Sequence, residues 1–151
     1  MAIAVQPALS PHLVVDDAAA AIDFYVKAFD AEELGRVPGP GGKLIHAALR
    51  INGFTVLLND DFPEMSGGKS MTPTSLGGTP VTIHLTVTDV DAKFQRALDA
   101  GATVVAPLED QFWGDRYGIV ADPFGHHWSL SQPVREVSMD EIAAAMGSQS
   151  G

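Results

Sequence analysis

The chain has no cysteine among its 151 residues. Disulfides, zinc ribbons, iron–sulfur clusters and thiol nucleophiles are therefore excluded. Basic residues are also scarce, nine Lys and Arg against nineteen Asp and Glu, for a net charge of −10. Nucleic acids and anionic membranes are held by clustered Lys and Arg, so neither is expected as a partner. No apolar run approaches the ~20 residues needed to span a bilayer. The opening "MAIAVQPALSPHL" lacks the basic start and long apolar core of a secretory signal. A cytoplasmic location is the expectation. The sequence also has no Ser-His-Asp order, phosphate-binding Walker loop or dinucleotide fingerprint. Its one Gly-rich stretch, "GPGGK", lacks the flanking strand and helix and the spacing those loops require.

With 46% hydrophobic and 19% charged residues, the composition is that of an ordinary globular protein. The length suits one domain, or two half-domains sharing a core. The sequence favours the second arrangement, because a short pattern occurs twice. "SPHLVVDD" at Ser10–Asp17 returns 72 residues later as "TIHLTVTD" at Thr82–Asp89, with a histidine and an aspartate in the same places.

Each copy opens a series of the same kind. The first begins with a strand, roughly Ala8–Val15, and Asp17 stands as N-cap of the helix "AAAAIDFYVKAF". Ala18, Ala21, Ile22, Tyr25 and Phe29 recur at helical spacing and form one apolar stripe. A short strand, a Gly/Pro turn and two strands around Asn52-Gly53 follow; that dipeptide is a strong hairpin signal. In the second copy Asp89 is the expected cap. Phe94, Ala97 and Leu98 face inward, and Gly101 ends the helix. The strands "ATVVAPL", "DRYGIVAD" and "HHWSLSQ" complete it, the last two joined by the turn "DPFG". The fold class is α+β, two tandem βαβββ modules whose curved mixed sheet surrounds a shared concave pocket.

The expected boundaries are about 8–59 for the first module and 81–132 for the second. Residues 60–80, rich in glycine and proline and without periodicity, read as a linker, with a lid as the alternative. Ser138 and Glu141 form a capping box for a short helix in the tail, 133–151.

Paired βαβββ modules, "IDFYVKAF" and "DPFGHHW" resemble the vicinal oxygen chelate superfamily over about Leu9–Leu130. That superfamily includes glyoxalase I, bleomycin-resistance proteins and extradiol dioxygenases. "SLGGTPV" and "DQFWGDRYGIVADPFGHHW" look more like its phosphonate-operon-associated subgroup. The resemblance implies metal-ligand positions on the first and last strands of each module. Counted from the "FY" of the first helix and from the "DP-G" turn, these fall on Ser10, on Leu57 or Leu58, on Thr82 and on Ser129. Hydroxyls and a leucine are poor ligands for Zn, Ni or Fe(II), so no metal is expected. A displaced site at His12 and His84 is the alternative. His46 or His127 would be its third ligand, although His127 is expected to diverge from His84 by roughly 13 Å at ~3.3 Å per residue.

Two functional readings follow. In the first, the protein binds a small organic molecule without a metal or other cofactor. Its pocket between the modules is lined by Ser10, His12, His46, Thr82, His84, Trp113, Arg116 and Ser129, and a homodimer is implied by the resemblance. Arg116 beside Trp113 offers a fork and a stacking surface for an anion; the structural alternative is an Asp115–Arg116 pair. In the second reading the protein is a lyase, isomerase or dioxygenase that uses Ni, Zn, Mn or Fe at His12 and His84. Whether it is an enzyme is left open. Trp128 and Tyr25 are assigned to the core, and Asp122 to turn formation.

Overall fold

The computed structural model describes residues 2–149. In order the elements are β1 (His12–Val15), α1 (Ala18–Phe29), β2 (Glu32–Pro38), β3 (Leu44–Ile51) and β4 (Phe54–Asp60), then a four-residue helix α2 (Pro73–Leu76). The second module follows with β5 (Thr82–Thr86), α3 (Val90–Ala100), β6 (Thr103–Asp110), β7 (Asp115–Ala121) and β8 (His127–Pro133), and the chain closes on α4 (Met139–Gln149). Two four-stranded sheets result, ordered β1-β4-β3-β2 and β5-β8-β7-β6, each with one parallel pair at its inner end.

The duplication is maintained to the residue. His12 lies opposite Leu57 in the first sheet, and 72 positions on His84 lies opposite Ser129 in the second. Helix starts match too. The N–H of Ala18, the first residue of α1, donates to Asp60 Oδ1 at 2.8 Å; the N–H of Val90, the first of α3, donates to Gln132 Oε1 at 3.0 Å. Asp60 and Gln132 are also 72 apart, so the end of each module's last strand satisfies a helical N–H that has no intrahelical partner. Asp17 caps α1 as expected, accepting from Ala20 N. Asp89 does not cap α3. It sits at φ 52 with no side-chain cap bond, and Gln132 supplies the acceptor instead.

Cross-ties between the modules end on equivalent acceptors, although their donors are not equivalent. Asn52, in the left-handed turn between β3 and β4, donates to Thr86 O, while His126 Nε2, before β8, bonds Val14 O. Val14 and Thr86 are equivalent positions. Buried side chains of both sheets and of α1 and α3 form one core. Its centre is aromatic: Trp128 packs on Tyr25 and Phe29, and Phe124 on Phe24. The expected inner stripes hold, with Phe29 and Leu98 only partly buried.

Two segments differ from expectation. The first strand starts at His12 rather than near Ala8. The 60–80 segment is not featureless: it contains a 3-10 turn at Pro63–Met65 and α2, and Asp61 organises it by accepting from Ser70 Oγ and Met71 N. Ser138 caps the tail helix, accepting from Glu141 N, but its Oγ and not its N–H donates to the Glu141 carboxylate, so only half of the expected capping box forms, and α4 runs to Gln149.

Candidate functional site

Strand alternation decides which side chains leave the core. On β1 and β4, Leu13, Val15 and Leu58 are buried, so His12, Leu57 and Asn59 point to the face away from α1. His12 Nε2 lies 2.6 Å from Asn59 Oδ1. The Asn59 amide is oriented by its own bond to Asp60 O, so Oδ1 is the acceptor and Nε2 carries the hydrogen. His46 on β3 meets the His12 ring edge-on at a centroid distance of 6.0 Å.

The second module builds the same cluster from other residues. His84 Nδ1 is 2.7 Å from Ser129 Oγ, and its Nε2 is 3.0 Å from Ser131 Oγ. Ser131 stands where Asn59 stands in the first module. Tyr117 on β7 takes the place of His46 and lies nearly parallel to the His84 ring at 6.0 Å. Trp113 continues the row, packing edge-on against Tyr117 at 5.7 Å, with Nε1 donating to Asp115 Oδ2. Ser129 and Ser131 are buried beneath His84. Since a hydroxyl can donate or accept, the two serines satisfy the imidazole at both nitrogens.

Of the candidate residues, His12 and His46 therefore meet in one cluster, and His84, Ser129 and Trp113 in the other. Thr82 is exposed opposite His127, and Ser10 lies just before β1, half-buried. Arg116 is not part of this face. It follows the parity of buried Gly118 and Val120, on the helix side of the sheet, and is held by Asp91 of α3 and Asp110 of β6 at 3.0 and 3.1 Å. Those two hydrogen-bonded carboxylates raise its pKa, and its structural partners are these rather than Asp115. The spacing between His84 and His127 is also smaller than expected. The register sets Ser129 level with His84 rather than with Thr82, leaving His127 two residues away, about 6.6 Å along the strand. Tyr117 and Ser131 went unnoticed in the sequence. Tyr117 shares its parity with Asp115, which was a usable signal once β7 was placed.

A cavity of about 320 Å³ opens between the modules, from β4 to β5. Phe54, Val56, Ile83 and Trp128 line it, His84 stands at its wall, and Leu9 and Pro11 lie at its edge. The donor set around these histidines does not fit a divalent ion. Leu57 and Ser129 occupy the last-strand positions where a carboxylate would serve, and among the described residues no three His, Asp or Glu side chains converge.

Asp122 is a larger finding than its turn position suggested. Buried at 4% exposure, it accepts from Tyr25 Oη, Trp128 Nε1 and the N–H groups of Phe124 and His126. Burial, and next the Asp122 carboxylate, push the Tyr25 phenol well above its ordinary pKa.

A duplicated βαβββ fold with paired histidines on its strands defines a class, and comparison with known proteins agrees. Residues 6–130 match the model of the glyoxalase/bleomycin resistance protein/dioxygenase superfamily, and the chain belongs to that family. It is 88% identical over 149 residues to the uncharacterized protein Mb0911c of Mycobacterium bovis, covering 99% of this chain and 98% of that one. Among solved structures it is similar to TioX from Micromonospora sp. ML1, with 32% identity, a TM-score of 0.65, and coverage of 85% and 100% of the two chains. It also shares its fold with a PhnB protein from Bacillus cereus, at 21% identity, a TM-score of 0.62, and coverage of 82% and 98%. No helix among the described residues is long and apolar enough to cross a membrane.

Proposed function

We propose that this protein binds a small organic molecule in the cavity between its modules and does so without a metal ion. The observation that carries this reading is His84, held by Ser129 and Ser131 at its two nitrogens with Tyr117 nearly parallel beside it. With both nitrogens taken, the imidazole offers a ligand its fixed ring face beside an apolar wall, a rigid surface on which a small organic molecule can pack. Where the superfamily's chemistry needs a metal-ligating carboxylate, the chain offers a hydroxyl at Ser129 and the methyl groups of Leu57. Exposed Phe54 and Leu9 border the opening, at 74% and 95% exposure, and support a second copy of the chain as its cover.

The test is elemental analysis of the purified protein after dialysis against Ni, Zn, Mn and Fe(II), combined with titration of the histidine side-chain NMR signals by catechol. The expected result is no retained ion and a saturable shift of His84. An ion retained near one per chain would replace this reading with the metal-dependent one. Sedimentation equilibrium tests the second copy; a monomer at all concentrations would remove it.

A further inference from the structure

The internal duplication makes two equivalent crevices, each where one module's helix end meets the other module's turn. Their contents differ. In one, Phe24 of α1 and Phe124 of the second-module turn approach to 6.3 Å and belong with Leu13, Val15 and Leu58 to one buried cluster. At the other, counted 72 residues on for the strand and helix positions, Leu85, Val87 and Leu130 provide the same apolar floor. The fillers, however, are changed. Arg96 stands for Phe24, Lys93 for Ala21, and Asn52 for Phe124 when the turns are counted back from β4 and β8. One aromatic ring has been exchanged for an arginine and the other for the shorter Asn52, an alanine for a lysine, and a cavity of about 210 Å³ remains.

From this we infer that the crevice beneath Lys93 and Arg96 is a second binding site, specific for a small monocarboxylate with an apolar body. The floor requires an apolar group, and the rim selects the charge. Among the residues that line the crevice the charged ones are Lys93, Arg96 and Asp30, one net positive charge, which suits one negative charge rather than two. Lys93 Nζ has a hydroxyl partner, Thr88 Oγ1 at 3.2 Å, and no carboxylate within 4 Å among the described residues. An ammonium with spare donors at the mouth of an apolar pocket recognises a carboxylate as a point charge. Arg96 contributes in another way. It donates to the carbonyls of Val26 and Lys27, covering the negative end of α1 that would otherwise repel an anion. This local positive charge stands within a chain of net charge −10, whose overall field disfavours an anion.

Benzoate is the probe, read by methyl NMR at Val87 and Leu130, which line this crevice and not the adjoining cavity at His84, with which it shares Ile51, Asn52 and Leu85. Saturable shifts at those methyls are expected, about tenfold or more weaker in affinity for Lys93→Ala, whose exposed side chain can be removed without touching the core. Arg96→Phe should abolish binding by restoring the filled arrangement of the other crevice. Benzyl alcohol should bind far more weakly than benzoate. Equal binding of the alcohol, or unchanged Val87 and Leu130 signals at millimolar benzoate, would overturn the inference. Shifts confined to the His84 ring would overturn it while leaving the proposed function standing.

Discussion

The phenol of Tyr25, on the helix of the first module, donates to Oδ2 of Asp122, in the last turn of the second. The bond is buried and joins residues 97 positions apart. Asp122 also takes hydrogen bonds from two backbone N–H groups of its own turn and from Trp128 Nε1. The residue that shapes the turn thus also locks the two modules together.

Replacing Tyr25 with Phe keeps the ring packing on Trp128 and removes one donor to a buried carboxylate. A loss of about 1–3 kcal/mol is expected in urea unfolding. A loss near zero would mean that water replaces the hydroxyl.

The same bond sets a pH dependence. Burial, reinforced by Asp122, holds the Tyr25 phenol protonated in the fold to well above its ordinary value. The resulting stabilisation is complete below the unfolded-state value of about 10 and is lost as pH rises through the raised value, because the unfolded chain releases the proton first. The alkaline limb of the stability curve should therefore be shallower in Tyr25→Phe than in the parent protein. Parallel limbs would remove Tyr25 as its source.

Asp60 and Gln132 perform one structural task with different chemistry. Asp60 is buried and accepts from the N–H of both Ala18 and Leu44, whereas half-buried Gln132 accepts from the N–H of Val90. Asp60→Ala should cost about 2–4 kcal/mol and Gln132→Ala about 1 kcal/mol by chemical denaturation. Equal costs would show that charge and the second bond contribute nothing.

The first-module cluster lacks one ligand for a metal centre. Leu57 is opposite His12 and half-buried on the face where His12 and His46 meet. Leu57→His should bring Ni(II) binding measurable by calorimetry. The binding should weaken as pH falls through about 6.5, where imidazoles gain protons. No gain in affinity would mean that the three positions do not converge.

The repeat, the helix stripes, the Asn52-Gly53 hairpin and the stop at Gly101 were legible in the sequence because each depends on neighbours a few residues away. Side-chain period and turn chemistry are local properties. The histidine positions were legible for the same reason, since "SPHLVVDD" and "TIHLTVTD" show their own match. The tertiary structure alone decided what those histidines touch. Parallel pairing of β5 with β8 is a relation across 45 residues, and only its register sets Ser129 and Ser131 against His84. Arg116 shows the same limit: its neighbours in sequence suggested a site, but strand parity turned it toward Asp91 on the opposite face. Asp89 looked like a cap beside its helix, and the acceptor came instead from Gln132, a strand away. Local pattern determined the elements and their order; long-range pairing, in which distant side chains compete for one donor or one face, determined the site.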